Sequence, residues 1–525
     1  MATFGKNILE NLTIGMYYDS KVIYREYIQN ACDQIDKAVE SGLFSDMKEG
    51  SIDIEINAKL RKIYIRDNAT GISKSEFRRQ LEDIANSDKT KGIDKGFRGI
   101  GRLCGLAYCK TLTFSSTYAG EPVRSIMTMD ARKMREMIDS PQKYTVDEIL
   151  DCITVYKEEP ADCNEHGFIV CLDEINKENT DLLDKEKVEA YLCFVAPVPY
   201  SNRFRLRTKI YEHAKEIGYH IDEYRIFVGG NQIFKDYGMR LYDKSNSSGS
   251  KQPYDEFRDL EFYDIKRDNE LIAWLWYGLC RFDKAIPKAD NPMYGFRVRQ
   301  SNIQIGDNTI LAKYFKEDRG NSYFVGEVFV VSASLTPNSR RDNFNENEVR
   351  VYFEQEIQRY CYDQLTKLYN MAAKLKSSFK RLSEYSAAVE ELEKKTQTGF
   401  INDKEKEALV QKVHEAEQRK EDANKLISKI PKEDSLQNDP TSIVQKAIKD
   451  HFERKETTKK AEEAEKKQSS IDKTQTGKSK YFSDSLSRLD KRSRKLIAQV
   501  MGIVSKHTDE ATLNAIKLEI EKEFR

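Results

Sequence analysis

One segment near the N-terminus constrains the fold of this chain more than any other. Residues 24–33 read Tyr-Arg-Glu-Tyr-Ile-Gln-Asn-Ala-Cys-Asp. In a helix, at about 100° per residue, Glu26, Asn30 and Asp33 lie on one narrow stripe. Two carboxylates and a carboxamide so placed can hold Mg²⁺ and orient a water, although a solvated helix face shows the same pattern. The apolar residues that would bury the rest of the helix are Val22, Ile23, Tyr27, Ile28, Ala31 and Ile35. Asp19 or Ser20 offers an N-cap.

A second motif follows two predicted strands. Alternating apolar residues in 51–57 and 62–66 predict a pair of half-buried strands. Asp67 comes directly after them, and Gly71 follows it after small residues. A carboxylate at a strand end can accept a hydrogen bond from the exocyclic amine of a base, and small residues let the backbone approach closely. A simple Asp-Asn turn is the alternative interpretation.

A third motif is the glycine-rich loop that carries Gly96, Gly99 and Gly101 ahead of an apolar run. Its main-chain N–H groups could face an anion, and a following helix would add its N-terminal dipole. The loop follows a lysine-rich stretch, whereas a Rossmann fold would place such a loop in a β-α-β unit near the start. The sequence has no Gly-x-x-x-x-Gly-Lys-Ser/Thr pattern, which argues against a P-loop ATPase.

In this order the three motifs resemble those of the GHKL ATPases, which include gyrase B, HtpG-type heat-shock chaperones, histidine kinases and MutL, with the MORC proteins alongside. Residues 11–35 and 84–87 look most like the HtpG-type branch and its divergent bacterial relatives, whereas residues 97–99 look more like MutL. The resemblance implies an α+β fold. An N-terminal ATP-binding α/β sandwich would be followed by an α/β transducer (middle) domain and a C-terminal α-helical or coiled-coil region.

The resemblance also implies a role for each motif residue. Glu26 would be the general base that orients the water attacking the γ-phosphate, Asn30 would coordinate Mg²⁺, and Asp33 would lie beside the nucleotide. Asp67 would bind the adenine amino group in a pocket shaped by Gly71. ATP and Mg²⁺ are the implied cofactors. A lid over residues 81–95 and the loop after it would supply the other nucleotide contacts, at Ser87, Lys89, Gly96, Gly99 and Gly101.

Two positions depart from the family pattern. Ala69 stands where the adenine motif normally has glycine, and a methyl group there requires a negative φ. Phe168 stands where a threonine hydroxyl normally meets the base or its acid. Base discrimination would then be looser, unless another hydroxyl substitutes.

A later loop, residues 335–344, carries two adjacent arginines. It resembles the middle-domain loop of the HtpG branch, in which an arginine reaches the γ-phosphate when the domains close. Arg341 is the better positional match, and Arg340 stays an alternative. An arginine fork suits dispersed phosphate charge, whereas a surface arginine pair is the plainer interpretation. Residues 298–305 and 324–331 beside this loop are predicted strands.

The chain's 525 residues, with 39% hydrophobic and 33% charged side chains, suggest about three domains and a polar, elongated part. From Leu365 the apolar spacing suits either a coiled coil or a buried bundle helix. Residues 456–480 suit either a solvated helix or a flexible linker. We therefore predict an ATPase domain at 1–200, a middle domain at 201–365, long helices (a coiled-coil candidate) at 366–430, a charged linker at 431–480, and a small helical module at 481–525.

The composition limits location and partners. No apolar run approaches the roughly 20 residues of a spanning helix, and a net charge of +0 gives no pull toward membrane or nucleic acid. Nine cysteines without a Cys-x-x-Cys spacing suit reduced thiols, so we expect a cytoplasmic protein with no membrane contact. A basic patch at residues 491–495 leaves nucleic-acid binding open, although a solvated helix face is the plainer interpretation. We expect a nucleotide-dependent homodimer, with a protein client or a partner effector.

The superfamily contains three functional classes to which such a chain could belong. A histidine kinase carries its phosphoacceptor before the ATP domain, but no histidine precedes His166. A topoisomerase or mismatch-repair enzyme lacks support because no acidic metal cluster or endonuclease motif is recognisable downstream. The sequence therefore favours an ATP-hydrolysing conformational machine, chaperone-like or MORC/MutL-like. The alternative is a nucleotide-sensing scaffold that hydrolyses little and acts with an effector in DNA maintenance or defence.

Overall fold

The computed structural model describes residues 4–13, 15, 19–83, 101–243, 252–428, 439–475, 490–504 and 507–524. The chain divides into two compact units, residues 1–447 and 448–525. The described part of the first unit contains three β-sheets: an eight-stranded sheet defines an N-terminal lobe, and a two-stranded and a five-stranded sheet define a second lobe. Mixed sheets and many helices confirm the predicted α+β class.

The N-terminal lobe is built on one mixed sheet of eight strands. In chain order these are β1 Ser51–Asn57, β2 Lys62–Asp67, β3 Thr111–Thr117, β4 Val123–Asp130, β5 Thr154–Pro160, β6 Gly167–Asp173, β7 Arg225–Val228 and β8 Asn231–Gln232. Their order across the sheet is β5-β4-β3-β6-β2-β1-β7-β8. Only the β1–β7 pair is parallel, and its register joins Ile52 to Ile226. The sheet therefore continues beyond the domain boundary expected at residue 200.

Seven helices accompany this sheet: α1 Asn7–Thr13, α2 Val22–Glu40, α3 Lys74–Glu82, α4 Ala131–Asp139, α5 Val146–Ile153, α6 Lys185–Val195 and α7 Arg207–Glu216. Helix α2 contacts β1 and β2. It buries Ile23, Tyr24, Ile28 and Ile35 to 0–1% exposure, and each such side chain stabilises the fold by about 1.5–3 kcal/mol. This burial fixes the rotation of α2 and hence the direction of its polar stripe.

The predicted N-cap of α2 is wrong. Lys21 occupies the cap position and no side chain caps the helix. The Asp19 carboxylate accepts a hydrogen bond from Lys21 N at 3.0 Å, one residue before the helix begins. The Ser20 hydroxyl donates to Asp181 and is therefore turned away from the helix end.

The second lobe has a small hairpin and a five-stranded sheet. The hairpin pairs β9 Arg240–Tyr242 with β10 Pro253–Glu256. The sheet contains β11 Asp259–Arg267, β12 Glu270–Leu279, β13 Gly295–Gln300, β14 Ile303–Ile305 and β15 Val325–Val330, in the order β11-β12-β15-β13-β14. Positive φ angles of 46° and 58° at Ser301 and Asn302 form a tight turn. The single strand predicted at 298–305 is therefore two strands.

Helices form most of the described residues from Glu348 onward. Helix α8 Glu348–Tyr360 continues through a π-helical turn, Cys361–Leu365, into α9 Thr366–Thr398. Helix α10 Asp403–Ile427 packs along α9, and Lys412 pairs with Glu391 at 2.7 Å. Helix α11, Pro440–Gln475, takes up most of the region predicted as a charged linker. A proline at the first helical position costs no hydrogen bond, which explains where α11 begins.

The C-terminal unit contains α12 Lys491–Val504 and α13 Glu510–Phe524. Met501 is 5% exposed and is packed by partly buried side chains of both helices: Ile497, Leu513, Ile516 and Ile520. Helices α12 and α13 therefore share a small apolar core around Met501. No helix in the described part of the chain combines the length and apolarity needed to cross a bilayer.

Candidate functional site

The polar stripe predicted on α2 is present and faces inward. Glu26 is 7% exposed, Asp33 is 2% exposed, and Asn30 is half-buried. A hydrogen-bond bridge from the same helix fixes its position. The Tyr27 hydroxyl donates to Arg102 O at 3.0 Å and accepts from Gly105 N at 3.1 Å. The bridge ties α2 to the short 3-10 helix that follows the glycine-rich loop.

Glu26 is held by its neighbour in the sequence. Arg25 donates from Nε and Nη2 to Glu26 Oε1, at 3.2 and 3.0 Å, and both side chains are buried. The same Nη2 donates to Arg340 O in the second lobe at 3.2 Å. Arg25 therefore joins the candidate general base to the loop that carries the arginine pair. This positive partner holds the carboxylate in one orientation.

The other oxygen of Glu26 faces the end of the glycine-rich loop. A Cβ atom added to Gly101 would lie 2.6 Å from Glu26 Oε2, so a larger residue there would displace the Glu26 carboxylate. The structure thus brings Gly101 to Glu26, and its contact with a phosphate stays a prediction. The other predicted phosphate and lid contacts, Ser87, Lys89, Gly96 and Gly99, lie outside the described residues.

The predicted adenine acid lies at the end of β2. Ala69 N donates to Asp67 Oδ1 at 3.1 Å. The residue as a whole is half-buried, but burial of its carboxyl group raises the pKa of Asp67 to about 7. Desolvation penalises the ionised form, and the hydrogen bonds from Ala69 N and the Phe168 backbone offset only part of that effect. A further hydrogen bond from an N–H group would therefore stabilise the ionised form of the Asp67 carboxyl group.

Gly71 is required at its position for two independent reasons. Its φ is +65°, and an added Cβ would lie 2.0 Å from Thr117 O and 2.8 Å from Gly167 O. The backbones of three chain segments therefore converge beside Asp67. Such a wall lets a flat base approach the backbone closely.

The loop with the arginine pair is anchored in the second lobe. Arg341 is 9% exposed and has a φ of +55°. Its N–H donates to Asn338 O at 3.1 Å and its carbonyl accepts from Gly306 N at 2.8 Å. The structure thus brings the loop to Arg25 through the Arg340 carbonyl. The role of the Arg341 guanidinium toward a phosphate stays a prediction.

Residues 18–157 match the family described as "Histidine kinase-, DNA gyrase B-, and HSP90-like ATPase". The N-terminal domain belongs to the GHKL ATPase superfamily. This range contains the α2 stripe, the adenine motif and the glycine-rich loop in the predicted order. The resemblance drawn from those motifs is therefore confirmed.

Curated relatives of the GHKL domain are HtpG-like. "Chaperone protein HtpG" of Shouchella clausii (strain KSM-K16) is 29% identical over 197 residues, which cover 36% of this chain and 28% of the relative. That of Streptomyces coelicolor (strain ATCC BAA-471 / A3(2) / M145) is 26% identical over 135 residues, covering 22% and 21%. That of Legionella pneumophila (strain Lens) is 37% identical over 95 residues, covering 17% and 15%. The matches thus span less than a third of each relative's length.

The two departures from the GHKL pattern are accommodated locally. Ala69 is fully buried without a positive φ, and His166 Nδ1 donates to its carbonyl at 2.9 Å. Phe168 pairs with Asp67 on one side and with Ser116 on the other. The Ser116 hydroxyl is buried and accepts from Ile72 N at 2.7 Å. A hydroxyl is therefore present in the wall of the GHKL pocket, on the strand beyond Phe168.

The residues that sequence reasoning missed are Arg25, Tyr27 and Ser116. Arg25 directly precedes Glu26. A charged residue on an otherwise apolar turn of a buried helix indicates that it has a polar partner, so the sequence did contain a signal for Arg25. Tyr27 could be read only as a core aromatic, since its partners are backbone groups of a later segment. Ser116 becomes relevant only through strand register, which no local pattern reveals.

The described residues hold no group of three or more His, Cys, Asp or Glu side chains placed to bind a metal. Mg²⁺ in phosphate sites usually takes one or two protein oxygens and completes its shell with phosphates and water. Asn30, half-buried on the α2 stripe, can supply such an oxygen. The donor set therefore fits Mg²⁺ that arrives with a nucleotide.

Proposed function

We propose that the protein binds ATP and hydrolyses it to ADP and phosphate, and that this cycle drives conformational change as in an HtpG-type machine. The observation that carries the proposal is the position of Glu26. Its carboxylate lies between Gly101 at the end of the glycine-rich loop and Arg25, which is bonded to the second lobe. A base at this place can respond to both the phosphates and the second lobe.

The nucleotide would be held along the α2 face of the GHKL domain. Asp67 would accept a hydrogen bond from the adenine amino group, next to the tight backbone wall at Gly71. Asn30 would contribute an oxygen to Mg²⁺, and Asp33 would lie beside the nucleotide. Bound Mg²⁺ would neutralise phosphate charge and stabilise the charge that develops during phosphoryl transfer.

The protein's part in catalysis would be positioning. Glu26 would orient a water and accept its proton, while Arg25 holds the carboxylate against rotation. Arg341 would add a guanidinium to the γ-phosphate when the second lobe closes. ATP can favour the closed form only through its higher affinity for that form. The proposal also includes lid closure over the nucleotide and a nucleotide-dependent homodimer. It further includes a protein client or effector and a cytoplasmic location.

Phosphate release by purified protein with Mg-ATP tests the proposal. Glu26→Ala should bind ATP with little change in affinity and turn over at least about 100-fold more slowly, since general-base catalysis is worth that much. Glu40→Ala, an exposed glutamate at the end of the same helix, is the matched control and should keep wild-type turnover. Turnover by Glu26→Ala at the wild-type rate would show that the base is another residue.

A second candidate is a sensor that binds nucleotide and scarcely hydrolyses it. Ala69 and Phe168 favour it, because both alter the adenine pocket without touching Glu26. Phosphate release, together with light scattering with and without a non-hydrolysable analogue, separates the two candidates. Tight binding without turnover would support the sensor. Glu26-dependent turnover with a nucleotide-induced change in mass would support the machine.

A further inference from the structure

A cavity of about 780 Å³ lies between the five-stranded sheet and the helices that follow it in the first unit. One wall is the face of β11 and β12 that carries Glu261, Tyr263 and Tyr277. The end of α8, the start of α9 and the first residues of α11 form the other walls. Its described lining contains none of the residues assigned above to the nucleotide. The cavity is therefore separate from the site already proposed.

Glu261 on β11 is a carboxylate without a counter-charge. It is half-buried, and no described residue forms a hydrogen bond or an ion pair with it. Neither of its oxygens is closed to solvent. Burial and the negative charges of Asp439 and Asp259 raise the pKa of Glu261 to about 7. A cation in the cavity would stabilise its ionised form.

A second carboxylate lines the same cavity at the start of α11. Asp439 Oδ2 caps this helix by accepting from Ser442 N at 3.2 Å and from Ser442 Oγ at 3.4 Å. No cationic side chain among the described residues forms an ion pair with Asp439. The two carboxylates are close enough for Asp439 to raise the pKa of Glu261. Together they make this part of the cavity negative.

The cations of the lining already have partners. Arg359 pairs with Glu356, and its side chain is 63% exposed. Lys367 pairs with Asp363 at 3.5 Å, and its side chain is 73% exposed. Both cations therefore lie at the rim and balance other acids. The negative charge of Glu261 and Asp439 is not neutralised by the described lining.

Tyrosine rings and apolar side chains form much of the remaining wall. Tyr263 stacks on Tyr360 with ring centroids 4.0 Å apart, and the Tyr360 hydroxyl donates to that of Tyr277 at 3.3 Å. Leu368 and Met371 of α9 add an apolar surface. Such a surface packs against methylene groups, and aromatic rings attract cations through their negative faces.

The helix that lines the cavity is irregular where it does so. The π-helical turn Cys361–Leu365 joins α8 to α9 and places Asp363 and Gln364 in the lining. Single π-helical turns within α-helices are rare and are frequent at functional sites. This irregularity is independent of the charges and marks the same place.

We propose that this cavity binds a primary ammonium group carried on an aliphatic chain. The ammonium group would donate to the Glu261 carboxylate, beside the charge of Asp439. The aliphatic chain would lie against Leu368, Met371 and the tyrosine rings. A free diamine and the lysine side chain of a polypeptide share this chemistry. The proposal does not depend on ATP hydrolysis.

Calorimetric titration of the full chain without nucleotide tests the site with three probes: diaminobutane, a lysine residue blocked at both ends, and butanediol. The titration is made at pH 8, where Glu261 is mostly ionised, and in about 150 mM salt to screen exposed charges. Diaminobutane or the blocked lysine should bind with a dissociation constant of about 1 mM or tighter, and the uncharged butanediol at least about tenfold more weakly. The tighter of the two amines identifies the source of the ammonium group. Absence of binding by both amines up to about 10 mM would overturn the proposal, and so would equal binding of butanediol.

Two substitutions place the binding in this cavity. Glu261→Gln removes the charge, keeps the size and should weaken amine binding at least about tenfold. Glu270→Gln, at an exposed glutamate where β12 begins, is the control and should leave the affinity unchanged. Asp439→Asn keeps a side chain that caps α11, so it removes charge at little cost to the helix and should weaken binding at least about threefold. Unchanged affinity in either folded variant, Glu261→Gln or Asp439→Asn, would overturn the assignment.

Discussion

At the scale of single residues, the buried carboxyl group of Asp67 makes the clearest prediction. Because its pKa is about 7, the Asp67 carboxyl group is protonated in about half of the unliganded molecules near pH 7. The ionised form accepts from the adenine amino group more strongly than the protonated form, whose carbonyl oxygen is a neutral acceptor. The affinity for adenosine, which has no phosphate to titrate, should therefore fall below pH 7, by up to about tenfold per pH unit. Adenosine titrations between pH 8 and pH 5.5 measure this decrease in affinity. An affinity that does not change with pH would contradict the role assigned to Asp67.

The same pKa has a consequence for stability. The folded-state pKa lies above the unfolded value of 3.8, so the folded protein binds the extra proton and Asp67 costs stability as pH rises from about 4 to 7. Asp67→Asn should raise the free energy of unfolding at pH 8, by on the order of 1–3 kcal/mol, and abolish adenosine binding. Urea unfolding at pH 8 and pH 5 checks the sign, because the gain should shrink at the lower pH.

Gly71 offers a prediction with a close control. Gly71→Ala combines a φ of +65° with a Cβ 2.0 Å from Thr117 O, so it should destabilise the fold by about 2–4 kcal/mol and weaken nucleotide binding. Gly120 has a φ of +90° and nothing within 4 Å of the added Cβ. Gly120→Ala should therefore cost less and leave nucleotide affinity unchanged. Equal effects of both substitutions would show that backbone strain alone is responsible.

At the scale of elements, the contact between α2 and the loop of the second lobe is decisive. Arg25→Gln loses the charge that holds Glu26 and one bond to Arg340 O. Turnover should fall about tenfold or more while the affinity for ATP changes little, because Arg25 bonds to the candidate base Glu26 and to Arg340 O. Steady-state kinetics, together with a separate binding measurement, distinguish an effect on turnover from an effect on the affinity for ATP. Arg66→Gln, which breaks an exposed pair with Glu55, is the control.

The elements differ in how well the sequence predicted them. Strands β1 and β2 and helix α2 follow from local period alone, since each has one buried face. The β13–β14 turn was missed because Ser301 and Asn302 take up positive φ angles in a run of otherwise strand-like residues. Helix α11 was ambiguous because lysine- and glutamate-rich segments are helical or unfolded according to context. Ser116 and Arg25 needed tertiary contacts, which no periodicity contains.

At the scale of the whole molecule, the two lobes of the first unit share a buried ionic joint. Glu327 bonds to Arg299, Lys235, Tyr200 and Tyr237, and Arg299 also donates to Phe194 O at 2.7 Å. The joint therefore ties the end of α6 to β13 and β15. Breaking it would leave charges buried without partners.

Glu327→Gln tests this joint. The substitution leaves Arg299 and Lys235 uncompensated and should lower the free energy of unfolding by about 3–5 kcal/mol. Both tryptophans, Trp274 and Trp276, are buried in β12, so their fluorescence reports the second lobe. Loss of nucleotide affinity in the same urea range would show that the lobes unfold together. Glu346→Gln, at an exposed position, should change neither signal.

The parallel pairing of β1 with β7 sets a limit on how this chain matures during synthesis. The strand that contains Ile52 can pair with β7 only after Ile226 has been synthesised. Likewise, Lys235 and Arg299 can pair with Glu327 only after that residue has been added to the chain. Until those residues leave the ribosome, the nascent lobe exposes an unpaired strand edge and lone charges. We therefore expect chaperones or proteases to recognise a chain released near residue 200 more readily than the full-length chain.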